Sequence, residues 1–162
     1  MSDTPITILL VEDDDVDVRV VLRAFEKERI SNPVVVAHDG IEALARLRGQ
    51  DGHPVISGPV LIVLDLNMPR MDGHEFLAEI RNDPKLAQLL VFVLTTSDDE
   101  SDRQAAYSKN VAGYLVKSDA GRDLMKHIPL LQHFLLSVHF PSVDDTRLDV
   151  CRPIPESLGE FA

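Results

Sequence analysis

The chain has one cysteine, Cys151, so it can form no intrachain disulfide, in keeping with a reducing compartment. It lacks any apolar run of the ~18 to 20 residues that a membrane span needs, and its N-terminus shows no signal-peptide pattern. A cytoplasmic protein is therefore expected. Positive charge is scarce: 16 Lys and Arg stand against 27 Asp and Glu, for a net charge of -11. With no basic cluster there is no electrostatic footprint for phosphates, which argues against DNA or other nucleic acid as the main partner. What the 162 residues do supply is enough chain for one domain around a single core.

Short apolar runs alternate with helical patterns, which predicts a parallel sheet with helices on both faces. The runs are Ile6–Val11, Pro33–Ala37, Pro59–Leu64, Val91–Leu94 and Gly113–Val116. A first helix near Val16 to Glu28 sets Val18, Val21, Leu22 and Phe25 on one face. A second starts at Asp39-Gly40 and carries Ile41, Leu44 and Ala45; a third follows Asp72-Gly73 with Phe76, Leu77 and Ile80 inward. It stops near Asp83-Pro84, because proline disfavours helix in the residue before it. Residues Asp99 to Asn110 form the weakest helix, with only Ala105, Ala106 and Tyr107 to bury, which makes it a candidate mobile element. Asn110 suits the left-handed stop at its end. Between the second helix and third strand, Gly49 to Gly58 is a longer loop than usual, read as a tolerated insertion at the amino edge of the sheet.

The last helical pattern, about Asp123 to Phe140, is richer in apolar residues than one core-facing stripe requires. The surplus suggests a homodimer interface. Pro129 should kink this helix or mark a late start. His127, His133 and His139 recur every six residues and so turn ~120° each, poorly placed to share a metal. From Ser142 to Ala162 the sequence mixes Leu148, Val150, Ile154, Leu158 and Phe161 with prolines and acids. That segment is too short for a DNA-binding output domain. It reads either as a disordered tail or as an arm packed on a partner subunit.

The chemistry gathers where strands end. Asp65 follows Pro59–Leu64 and opens the turn Asp65-Leu66-Asn67-Met68-Pro69-Arg70-Met71-Asp72-Gly73. The carboxyl edge of an open α/β sheet is its usual ligand edge. Glu12-Asp13-Asp14 ends the first strand, Thr95-Thr96-Ser97 the fourth and Lys117 the fifth. Each has an ordinary reading: Asp65 or Asp13 to Asp15 as helix caps, Thr95 as a turn residue, Lys117 as a surface charge. Together, clustered carboxylates repel unless a cation sits among them, and oxygen ligands in this number favour Mg²⁺.

These residues and their spacing resemble the receiver domain of two-component response regulators, over about residues 5 to 140. The resemblance implies a flavodoxin-like, doubly wound (βα)5 fold, five parallel strands in the order 2-1-3-4-5, with an extended last helix and residues 141–162 as tail or dimerisation arm. It implies that Glu12 and Asp13 form the acid pair, that Asp65 accepts a phosphoryl group, and that the Asn67 carbonyl completes the Mg²⁺ site. Thr95 and Lys117 contact the phosphoryl group, and Tyr114 is the switch aromatic. Asn67 and Ser97 occupy positions that influence phosphoryl lifetime; Ser97 is too small to shield the group well, so a state of intermediate lifetime is expected. Phosphoryl transfer has a loose transition state, so positioning and charge neutralisation dominate. The acyl phosphate brings ~1.5 to 2 negative charges and three acceptor oxygens, one of which Thr95 can reach. If Thr95 moves inward, Tyr114 can fill the vacated space.

One departure is Ser118, where the family usually has a proline preceded by a cis peptide. A non-proline cis bond costs ~2.5 to 4 kcal/mol, so either the Lys117-Ser118 bond is trans and the loop rebuilt, or the fold bears the cost. Three functions follow. The first is a response regulator that takes a phosphoryl group from a sensor histidine kinase and signals by partner binding or phosphorelay, acting as an enzyme only toward its own Asp65. The second is a pseudo-receiver scaffold without phosphorylation. The third is a haloacid-dehalogenase-type phosphatase or phosphotransferase, which wants a second Asp where Asn67 stands. The long loop, apolar last helix with His133-Phe134, and short tail also resemble regulators that partner bacterial phytochrome-type kinases.

Overall fold

The computed structural model describes residues 4–117, 124–140 and 142–143. Five strands run parallel: β1 (Thr7–Val11), β2 (Val34–Ala37), β3 (Gly58–Leu64), β4 (Leu90–Thr95) and β5 (Gly113–Val116). Their order is β2-β1-β3-β4-β5, as the resemblance implies. The helices between and after them are α1 (Asp15–Lys27), α2 (Gly40–Arg48), α3 (Gly73–Asn82), α4 (Glu100–Ser108) and α5 (Leu124–Ser137). A two-residue strand, β6 (Ser142–Val143), pairs antiparallel with the start of β3, Gly58 opposite Val143 and Pro59 opposite Ser142.

Alternation along the strands builds two cores. Leu9, Val11, Ile62 and Leu64 face Leu44 and Leu47 of α2, Phe76, Leu77 and Ile80 of α3, and Ala106 of α4. On the opposite face Ile8, Leu10, Leu61, Val63, Phe92 and Leu94 meet Val18, Val21 and Phe25 of α1 and Ile128, Leu131 and Leu135 of α5. Continuous apolar runs are therefore what the central strands need, since neither face of them meets water.

In two helices the buried residues differ from those the sequence pattern offered. Ile41, expected in the core, is 43% exposed, and the inward stripe of α2 is Gly40, Ala43, Leu44, Ala45 and Leu47. Gly40, Ala43, Leu44 and Leu47 recur at i, i+3, i+4 and i+7, a stripe that leaves Ile41 at its margin, and Gly40 packs so close to Met71 that an added Cβ would sit 2.7 Å from its Cγ. In α4 only Ala106 is buried, and Tyr107 is half exposed. That matches its weak pattern. Its end is held instead by Arg81, whose guanidinium donates to the carbonyls of Lys109 (2.7 Å), Asn110 (3.1 Å), Ala87 (2.8 Å) and Leu89 (2.9 Å). Asn110 takes the left-handed conformation expected of it, φ 58°.

Pro129 lies inside α5 rather than at its start. Ile128 and Leu131 on either side of it are buried against the sheet, and Phe134 stacks edge-on with Phe92 (4.9 Å) and Phe140 (5.6 Å). Part of the apolar surplus is thus spent within the domain, while Leu130 and Leu136 remain exposed. Of the tail, only Ser142 and Val143 are described; residues 144–162 and Ser118, hence the isomer of the Lys117-Ser118 bond, lie outside the described residues.

Candidate functional site

Strand register, not sequence proximity, assembles the site. Val11 lies opposite Ala37 and Leu64, and Thr95 opposite Val116, so the strands end nearly flush. Just past those ends the ladder continues: Glu12 N–H donates to Ala37 (2.9 Å), Asp65 N–H to Val11 (3.0 Å) and Lys117 N–H to Thr95 (2.7 Å). Glu12, Asp65, Thr95 and Lys117 are thereby delivered to one edge.

The helix-cap readings of the two acidic turns are resolved by their neighbours. Asp14 caps α1, accepting from the N–H groups of Val16 and Asp17, which leaves Asp13 uncommitted to the helix. Asp72 caps α3 in a reciprocal capping box with Glu75, so Asp65 caps nothing. Asp65 is only 7% exposed; one oxygen accepts from the Asn67 N–H (3.3 Å) and the other lies 3.7 Å from Lys117 Nζ. One carboxylate oxygen each from Glu12, Asp13 and Asp65 lie within 4.8 Å of one another. Oxygen donors at that spacing, two of them buried, fit a hard divalent cation.

Lys117 is the counter-charge. Its ammonium donates to Glu12 and to Asp17 (3.1 Å). Burial alone would lower its pKa, but Asp65, Glu12 and Asp17 together hold it above the ordinary value. Burial, and then the charge of Asp65, pushes the Glu12 carboxyl up to about 7 against the pull of Lys117. One ammonium leaves this cluster short of positive charge, the electrostatic condition that a cation relieves. Asp17 went unnoticed in the sequence because it reads as one more acid in a helical first turn.

Thr95 is fully buried, and its hydroxyl oxygen accepts from the Ser97 N–H (3.3 Å). The Tyr114 hydroxyl donates to the Ser97 carbonyl (2.9 Å), with the Arg103 guanidinium 5.7 Å from the ring centre. Ser97 Oγ in turn donates to Asp102 of α4 (2.5 Å), whose other oxygen lies 2.9 Å from His74 Nε2 of α3. Thus the loop after β4 is tied to β5, α4 and α3 at once. Asp102 and His74 carried no signal in the sequence, being a surface acid and a surface histidine 28 residues apart.

The Ser97 hydroxyl, and then His74, holds the Asp102 carboxyl below the ordinary carboxylate range. A depressed folded-state pKa gives stability that is present above the unfolded value of about 4 and lost as pH falls through the folded one. Asp102→Ala should therefore cost about 1 kcal/mol at neutral pH, where a half-exposed charged hydrogen bond counts for less than a buried one. The difference should shrink in acid. Urea melts at two pH values check this; equal stability of variant and wild type at pH 7 would show that the tie carries no energy.

Among known proteins, the family model for the response regulator receiver domain matches residues 8–129. The chain is a response regulator receiver domain. This receiver is 41% identical over 135 residues to the response regulator Rcp1 of Synechocystis sp., covering 83% of its own length and 92% of Rcp1. The crystal structure of the phosphorylated cyanobacterial phytochrome response regulator RcpA superposes with a TM-score of 0.78 at 38% identity, over 86% of this receiver and 100% of that chain. A Mn²⁺-bound structure of Rcp1 gives 0.75 at 40% identity, over 85% and 99%. The receiver is thus homologous to phytochrome response regulators, and its acidic cluster can hold a divalent metal. Among the described residues no helix is long and apolar enough to cross a membrane.

Proposed function

We propose that this receiver is a cytoplasmic signalling protein whose Asp65 takes a phosphoryl group from a sensor histidine kinase. One observation carries the reading: a buried carboxylate that caps no helix stands at the sheet's carboxyl edge, between a largely covered lysine and two further acids. An oxygen of Asp65 forms the new bond to phosphorus while the bond to the kinase histidine nitrogen breaks, and the phosphoryl group's charge passes to the aspartyl phosphate. Mg²⁺ bound by Glu12, Asp13, Asp65 and the Asn67 carbonyl would supply charge neutralisation to the transferring oxygens.

The chain's own residues do the rest. Lys117, already among the carboxylates, stabilises the added charge, and the Thr95 hydroxyl donates to a phosphoryl oxygen. That inward movement of Thr95 would shift Ser97 and loosen the Tyr114 tie, letting the ring turn and reporting phosphorylation through α4, which buries little. Asn67 and Ser97, flanking acceptor and switch, set how long the acyl phosphate lasts. Similarity to Rcp1 and RcpA supports a phytochrome-type kinase as partner.

Phosphotransfer checks the reading: mixed with a phosphorylated histidine kinase of the phytochrome type and Mg²⁺, the protein should gain label, and chelation should prevent it. If neither that kinase nor a small phosphodonor labels the protein, the scaffold reading takes its place. Leu130 (51% exposed) and Leu136 (78% exposed) leave apolar surface on α5 that the domain does not cover, which supports a homodimer through this helix. Leu136→Glu should then shift sedimentation from dimer to monomer without lowering the melting temperature of the fold. An unchanged dimer would remove α5 from the interface.

A further inference from the structure

A second polar network, outside the acid cluster, joins the start of α3 to the loop after β4. His74 Nε2 lies 2.9 Å from one oxygen of Asp102, and the other oxygen of Asp102 accepts from Ser97 Oγ at 2.5 Å. The two ends of this tie are unequal. His74 follows Gly73, whose N–H donates to the Leu66 carbonyl (2.9 Å), and α3 begins with the Asp72–Glu75 capping box and the fully buried Phe76 and Leu77. That end is fixed to the acceptor loop and to the core. Asp102 stands in the first turn of α4, a helix whose one buried residue is Ala106. The neighbouring Arg103 pairs within its own segment, with Asp98 and Glu100 (2.6 Å each), and so adds no hold on α3. The start of α4 is thus kept in place by polar contacts more than by apolar burial, the condition for an element that opens at low cost.

Ser97 is where this tie meets the switch. Its N–H donates to the Thr95 hydroxyl oxygen (3.3 Å), and its carbonyl accepts from the Tyr114 hydroxyl (2.9 Å). While Asp102 holds Ser97 Oγ, both contacts are kept: Thr95 stays hydrogen-bonded within its own loop, and the Tyr114 ring stays tied to that loop. An arrangement in which Thr95 donates to a group on Asp65 and Tyr114 turns inward needs Ser97 to move. Ser97 can do so only by breaking its bond to Asp102 or by drawing Asp102 away from His74.

We infer that His74 and Asp102 are positioning residues: together they latch the loop after β4 in its unphosphorylated arrangement, and the strength of that latch sets how tightly the Asp65 site holds a phosphoryl group. The inference rests on Asp65 as the phosphoacceptor and adds the restraint that acceptance must overcome. Both residues act through Ser97 and Thr95. Whatever stabilises the resting conformer lowers the apparent affinity for a group that binds the other conformer, and removing it raises that affinity. The side chains of His74 and Asp102 are 31% and 32% exposed, so truncating either one opens the latch without leaving a cavity in the core.

Beryllofluoride with Mg²⁺, an unreactive stand-in for the phosphoryl group on Asp65, is the probe, titrated by calorimetry into the full chain as wild type, Asp102→Ala, His74→Ala and the double variant. Each single variant should bind it about three- to tenfold more tightly than wild type. The double variant should bind no more tightly than the better single one, because the latch holds only while both of its bonds are made. Loss of stability by itself would not tighten binding. Before any ligand is added, the NMR amide signals of Thr95 and Tyr114 in Asp102→Ala should lie on the line between their free and beryllofluoride-bound positions in wild type. Equal or weaker binding by the variants while wild type binds, effects that multiply in the double variant, or signals off that line would overturn the inference. No binding by wild type would instead overturn Asp65 as the acceptor, and the latch with it.

Discussion

Asp65→Asn should lose all phosphoryl uptake, from kinase or small phosphodonor alike, yet melt no lower than wild type in EDTA. The first half follows from chemistry: an amide oxygen is too weak a nucleophile, and none of the neighbouring carboxylates shares the position of Asp65. The second half follows from the charge balance of the site. Asn keeps the shape of Asp and can still accept from the Asn67 N–H. Losing the charge removes the repulsion that, after burial, does most to hold the Glu12 carboxyl up at about 7, so Glu12 ionises more readily in the variant. Lys117 gives up a partner 3.7 Å away but retains Glu12 and Asp17. With saturating Mg²⁺ the order should reverse, because wild type has the fuller ligand set and a ligand stabilises the state that binds it by RT ln(1 + [L]/Kd). Thermal melts of both proteins with EDTA and with Mg²⁺ decide it. Normal labelling of the variant would refute the assignment of the acceptor.

Gly73→Ala should be as damaging to the fold as Asp65→Asn is to the chemistry. A Cβ at Gly73 would stand 2.6 Å from the Leu66 Cα and 2.7 Å from the Asp65 carbonyl oxygen, both backbone atoms that no side-chain rotation can move away. The close approach exists because the Gly73 N–H donates to the Leu66 carbonyl (2.9 Å), closing the loop that carries Asp65 and Asn67 onto the start of α3. Overpacking of a dense site costs about 1 to 3 kcal/mol, and rigid backbone places this case at the upper end. Because the displaced atoms belong to the acceptor loop, phosphoryl uptake should fall together with stability. A denaturant midpoint within error of wild type would mean that the loop yields more easily than its geometry implies.

The sheet was legible in the sequence because its central strands are buried on both faces. Uninterrupted runs such as Val60–Leu64 have no amphipathic alternative, and those leading to the site end in a polar residue: Glu12, Asp65, Thr95 or Lys117. The helices that pack by ordinary stripes, α1 and α3, were equally plain. Ile41 misled because the inward stripe of α2 begins at Gly40, which has no apolar side chain to mark it, so the neighbouring isoleucine looked like its first member. Arg81 gave no sign of its four carbonyl partners, since a guanidinium on a helix reads as a surface charge until the loops that need it are in place.

By itself, then, the order of residues determined the five parallel strands, which strand tips carry acids, a hydroxyl and a lysine, and the family to which that set belongs. Only tertiary structure decided that Asp14 and Asp72 do the capping, which leaves Asp13 and Asp65 uncommitted to helices, that Asp17 pairs with Lys117, and that His74 and Asp102 hold the loop after β4. The division has a physical cause. Burial of apolar strands is a local property written into composition, whereas the partner of a polar atom is set by strand register and helix packing between residues far apart in the chain.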